Sequence, residues 1–319
     1  LAASVALPTG IYYLVLSLPI LVPTTIMGAL TPLMVSTISG LSRYGVSVGL
    51  SYGLNVAGAA LGALGSGLFL IGAFGLHFTL AMMAMVDVAV GVGVYLVVRL
   101  AVSAVPRLGE AAFGIAGFAG RRGGPLIAPA AAPGLSNARF RAMSIAFFSI
   151  GFAALGYEIY AFRLLGTVFG SSPYLFPILL FGYLLQLSFG TVAGGGISKL
   201  VDLKYSYPAI CALFLVSTYL TVNIHDYLPQ DSNFLVLLGS YTNHAHVTVS
   251  LVAAVVLTIL ALLPVFFLSM LMPVFLDRAR TSMPEVDFGF AYFWQTLGNI
   301  AGVVVTGLVL FDYLSLPQV

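Results

Sequence analysis

Charge is scarce in this sequence. Asp, Glu, Lys and Arg make up 7% of 319 residues, against roughly a quarter in a soluble domain, so a water-solvated globule is excluded. Cysteine occurs once, at Cys211, which excludes a disulfide within the chain and a covalent haem attachment. A net charge of +2 provides no basic face of the kind that holds nucleic acid. A Gly-x-Gly-x-x-Gly following a strand, a P-loop and a Gly-x-Ser-x-Gly elbow are all missing, and with them the short signatures of dinucleotide, phosphate and acyl chemistry. No catalytic residue and no cofactor is expected. His244-x-His246 lacks the carboxylate or thiolate companions of a dedicated zinc site, so no metal is expected either. The alternating segments of about ten residues that mark a membrane barrel are not found.

What the chain has instead is apolar length. Hydrophobic residues make up 60% and mean hydropathy is +1.08. Runs of 18 or more apolar residues cross roughly 30 Å of hydrocarbon as helices. The expected fold is an all-α, polytopic transmembrane bundle of about eight spans, near 8–36, 45–71, 75–98, 143–169, 173–197, 206–224, 247–273 and 288–311. Pro19, Pro23 and Pro32 break the first span, and Pro264 and Pro273 sit in comparable places in the seventh.

Residues 99–142 are rich in Gly, Ala and Pro and carry six arginines against Glu110. They read as a flexible linker between a first membrane unit, 1–98, and a second, 143–319. Three spans fall in the first unit and five in the second. The opening at Leu1, directly before an apolar segment, reads as a first unit truncated at its N-terminus, with upstream spans preceding it. By the positive-inside rule the linker is cytoplasmic, Arg43, Lys199, Lys204, Arg278 and Arg280 fall on the same side, and loop 225–246, with no Lys or Arg, falls outside. This places Leu1 outside and the protein in a membrane of the bacterial inner (cytoplasmic) type.

Two segments match at a fixed offset. Tyr52-x-x-Asn55-x-x-Gly58-x-x-x-Gly62-x-x-x-x-Gly67-Leu-x-Leu70 aligns with Tyr292-x-x-Gln295-x-x-Gly298-x-x-x-Gly302-x-x-x-x-Gly307-Leu-x-Leu310. Each follows a Pro-broken span and a basic loop, which predicts a parallel, transporter-like internal repeat. Gly58 with Gly62, and Gly298 with Gly302, share a helix face and predict close helix packing. Asn55 and Gln295 lie near the same faces. They are expected to hydrogen-bond across helices or to line a substrate cavity.

Few charges lie inside the apolar runs. Each costs roughly 2.5–3.5 kcal/mol on insertion scales. Glu158 and Arg163 share the fourth span. Five residues apart, they sit about 140° around a helix from one another and do not stack. A buried ion pair, Arg163 snorkelling outward, and a functional charge handling a proton or cation are the competing readings. Asp87, midway along the third span, is expected either to find a partner on another helix or to be protonated by burial, and in either case not to face lipid.

Three stretches together resemble multi-spanning spermidine synthase-like membrane proteins. They are Ala154-Leu-Gly-Tyr157-Glu158-Ile-Tyr-Ala-Phe-Arg163-Leu-Leu-Gly-Thr-Val-Phe-Gly170-Ser-Ser172, Met27-Gly28-Ala-Leu-Thr31-Pro32-Leu, and Tyr52-Gly-Leu-Asn55-Val-Ala-Gly58-Ala-Ala-Leu-Gly62. The likeness covers most of 20–98 and 143–198, and more weakly 260–311. In that family a helix bundle commonly precedes a soluble aminopropyltransferase-like domain. This sequence holds no such domain, so the resemblance implies the membrane part alone and no enzyme activity. Tyr157, Glu158 and Arg163 stand in its Tyr-Glu…Arg element.

Two functions are carried forward. One is a non-catalytic membrane protein that binds or moves a small cationic metabolite, with Glu158 and Asp87 as counter-charges. The other is a structural or accessory transmembrane subunit, packing helices of a larger complex within the lipid bilayer.

Overall fold

A computed structural model of the chain describes residues 21, 24–32, 34–35, 44–104, 137–169, 175–227, 255–282 and 288–311. Among these, all regular structure is helical. The principal helices are α1 (Tyr44–Gly65), α2 (Ile71–Ala104), α3 (Asn137–Phe169), α4 (Leu175–Ile197), α5 (Leu203–Tyr227), α6 (Leu263–Ser282) and α7 (Phe288–Val304). Five apolar stretches are long enough to cross a membrane, or six if the bent pair Val255–Ala261 and Leu263–Ala279 is one span. The protein is an integral membrane protein.

The expected count of eight maps unevenly. Most of 8–36 lies outside the described residues, as do 105–136 of the linker and most of loop 225–246. The linker's ends differ from expectation, because 99–104 continue α2 and 137–142 open α3 as helix. The second and third spans form one helical run, Tyr44–Leu96, of 53 residues. At 1.5 Å per residue that is about 80 Å, more than twice the hydrocarbon thickness. The run is divided at Gly75, whose φ of 77° and ψ of 167° are open essentially to glycine alone.

Helix ends bearing basic residues gather at one end of the bundle. The Gly45 N–H, at the start of α1, donates to Asp277 Oδ1 near the end of α6 at 2.9 Å. Ser198, just past α4, closes on the same glycine. The Phe288 N–H, opening α7, donates to the Tyr44 hydroxyl at 2.8 Å. Phe140, opening α3, packs on Phe290 with ring centroids 5.0 Å apart, and Tyr207, in the second turn of α5, packs on Phe275 at 5.1 Å. Arg141, Lys199, Lys204 and Arg278 therefore share an end.

α6 is the hub, touching α1, α3, α4, α5 and α7. The widest helix pairings are α1 with α4 and α3 with α7. Glycine explains both. At Gly49 a side chain would run into Gly195 and the Thr191 carbonyl of α4, and at Gly298 into the Phe148 backbone of α3. With no hydrophobic drive between helices in lipid, such close backbone approach supplies the packing. α1 thus packs on helices from beyond the linker. α1 and α7 each run on into a π-helical turn, Ser66–Leu70 and Val305–Leu310, and these turns hold the matching Gly67-Leu-x-Leu70 and Gly307-Leu-x-Leu310.

Candidate functional site

The polar groups converge where the seventh expected span breaks. Val255–Ala261 and Leu263–Ala279 meet at 53°. Pro264 has no N–H to donate, and its ring crowds the carbonyl four residues earlier. The Val265 N–H turns instead to Leu262 O at 2.9 Å, which strips the Ala261 carbonyl of its helical donor. In lipid, such a freed carbonyl needs a partner inside the protein. Tyr157 supplies one, its hydroxyl donating to Ala261 O at 2.6 Å, while Gln186 Nε2 of α4 donates to Ile259 O at 2.7 Å.

Glu158 follows Tyr157 on α3 and is 7% exposed. Its carboxylate accepts a hydrogen bond from the Tyr183 hydroxyl of α4. The Thr221 side chain of α5 lies beside Tyr157, its own hydroxyl donating to Ser217 O at 2.9 Å. Around them Tyr157, Tyr160, Ala161, Leu164, Tyr183, Leu262 and Val265 form a buried cluster. The Tyr157 and Tyr160 rings lie 6.0 Å apart between centroids. The Thr258 hydroxyl, in the short helix ahead of the break, is buried without a partner among the described residues. An acid, five tyrosine and threonine hydroxyls and a bent helix with redirected carbonyls thus surround one region. Such oxygens suit a cation, and discontinuous helices at membrane depth commonly serve that use.

The other candidate residues lie apart. Arg163 does not pair with Glu158. It is exposed, with its guanidinium 4.3 Å from the centroid of Phe311, an arrangement that fits outward snorkelling, not a buried ion pair. The geometric reason is the wide angle between the two positions on the helix, which turns one inward and the other out. Asp87, expected to find a partner, is exposed and has none among the described residues, where α2 beyond Gly75 makes no broad packing with another numbered helix.

The repeat-related positions also diverge. Gln295 is 9% exposed and Asn55 is exposed. Among the described residues Gln295 Oε1 is buried without a donor at the α3–α7 seam, and Asn55 makes no hydrogen bond. Gly298 and Gly302 press on the Phe148, Phe152 and Gly156 backbone, whereas Gly58 and Gly62 have open space where a side chain would project. The close packing expected at Gly58 and Gly62 is not made among the described residues. The face of α1 used for packing is that of Gly45, Gly49 and Gly53.

Tyr183, Gln186, Thr221 and Thr258 were not singled out from the sequence. A signal existed for two of them, since Tyr183 and Gln186 stand three apart in an otherwise apolar span and so share a helix face.

Comparison of the chain with protein-family models, curated proteins and solved structures finds no match.

Proposed function

We propose that this protein is a non-catalytic membrane protein, resembling spermidine synthase-like membrane domains, that binds or transports a small cationic metabolite at Glu158. One observation carries the reading. Glu158 is buried beside a broken helix whose Ala261 and Ile259 carbonyls have turned to side-chain donors, and no Lys or Arg pairs with it among the described residues. A buried carboxylate without a cation is costly. A bound cation offsets that cost and would compete with Tyr183 and Tyr157 for the same oxygens. Exchange of those hydroxyl contacts for the ligand's is the mechanism by which the helix break would be coupled to binding.

Two further readings belong to this proposal. The matching π-helical turns, and the hydrogen bond joining the starts of α1 and α7, support a parallel repeat within a bundle of eight spans. The shared end of Arg141, Lys199, Lys204 and Arg278 supports a cytoplasmic placement of that end in an inner-type membrane.

The test is ligand-induced thermal stabilisation of the purified chain against putrescine, spermidine and a panel of amino acids, with Glu158→Gln beside the parent. A cationic compound should raise the parent's Tm and leave the variant's unmoved. Absence of any shift across the panel, or equal shifts in both proteins, refutes the proposal.

A further inference from the structure

α2 is an apolar helix of membrane length with one acid at its middle, and among the described residues no other numbered helix packs broadly on it beyond Gly75. Leu80 is 59% exposed, Val88 66% and Val94 59%. Thr79 is buried, its hydroxyl donating back to the Gly75 carbonyl at 2.8 Å. About 18 Å of helix separates Gly75 from Asp87, which puts Asp87 close to the centre of a hydrocarbon layer of roughly 30 Å.

Two features specify what covers this face. The first is shape. The Asp side chain is short, so a partner must approach the α2 backbone closely to reach it. Gly91, one turn further along, has open space where a Cβ would project, and Ala84 lies one turn before. The second is charge. A mid-membrane carboxylate selects a cationic donor. Within the apolar runs the only Lys or Arg of this sequence is Arg163, and it sits toward the end of α3, turned onto Phe311. A second copy would bring another Asp87 and no mid-membrane cation to set against it.

We propose that α2 docks against a spanning helix of a different membrane protein, one that carries Lys or Arg at mid-membrane, with Asp87 as its counter-charge. This goes beyond the Glu158 site and stands whether or not that site binds a metabolite.

The experiment uses the full chain in phosphatidylcholine vesicles with synthetic Leu/Ala-rich spanning peptides of about 20 residues. Each peptide carries a photocrosslinker and either Lys or Leu at its centre. The Lys peptide should crosslink to α2 at a peptide-to-lipid ratio roughly tenfold lower than the Leu peptide, since pairing across membrane helices is worth about one decade. Asp87→Asn should erase that difference without moving the Tm, and Asp87→Glu should retain it. Equal crosslinking of the two peptides overturns the proposal, as does a Lys preference that survives Asp87→Asn. Crosslinking between copies of the chain through α2, lost in Asp87→Asn, would make a second copy the occupant and equally overturn it.

Discussion

Tyr183 on α4 donates a hydrogen bond to the carboxylate of Glu158 on α3, and the two side chains are only 5% and 7% exposed. The pair joins two helices that otherwise touch little. In a membrane interior this tie has no water to replace it.

Tyr183→Phe removes the donor and keeps the ring. The expected loss of stability is about 1–2 kcal/mol, read as a lower Tm in detergent. Arg163→Ala, which removes an exposed side chain, should leave the Tm within error of the parent. If the two variants behave alike, the Glu158–Tyr183 tie has no structural weight.

Tyr157→Phe strips the Ala261 carbonyl of its hydroxyl donor. A buried carbonyl left bare costs about 1–3 kcal/mol. The effect should be local, with faster amide hydrogen exchange near Leu262 and Leu263 than in the rest of α6.

Glycine substitutions separate the repeat's two copies. In Gly298→Ala the new methyl meets the Phe148 backbone, and overpacking of this sort destabilises by about 1–3 kcal/mol. In Gly58→Ala the methyl enters open space, and a helical Gly→Ala change there gains about 0.5–1 kcal/mol. Opposite signs of ΔTm are expected. A large loss at Gly58 would mean that its face is covered.

Asp277→Ala removes the acceptor from the Gly45 N–H at the start of α1. Loss of such an N-terminal cap costs about 0.5–2 kcal/mol, and proteolysis should then reach the first turn of α1 more readily. Asp277→Asn, which keeps an oxygen acceptor, should fall between the variant and the parent.

Single cysteines, introduced on a Cys211→Ser background, test the shared end. Those at Lys199, Lys204 and Arg278 should all react with a membrane-impermeant maleimide from one side, and one at Arg163 from the other. Labelling of Lys199 and Arg278 from opposite faces would contradict the arrangement of α4 and α6.

Much of the architecture was readable before folding. Long apolar runs require spanning helices, because bare backbone is not tolerated in lipid. Pro264 foretold a broken span, because an imino nitrogen cannot donate. Gly298 and Gly302 pointed to a close-packed face and do meet α3. The identical spacing around Gly58 and Gly62 meets no helix among the described residues, since small residues permit an approach without requiring it. The partner of Asp87 was not legible for a similar reason, because composition states the need for a counter-charge and cannot say which polypeptide meets it.

The amino-acid order alone determined that the chain is helical and lies in a membrane, and it named Glu158 as an acid at depth. Both follow from local terms: hydrophobic transfer along each run, and the cost of a charge away from water. Folding in three dimensions decided that Glu158 turns to Tyr183 and not to Arg163, that Tyr157 caps the opened helix at Ala261, and that α1 packs on α4 across the linker. Those outcomes depend on which helix faces meet, and helices far apart in the chain meet wherever glycine lets their backbones come nearest.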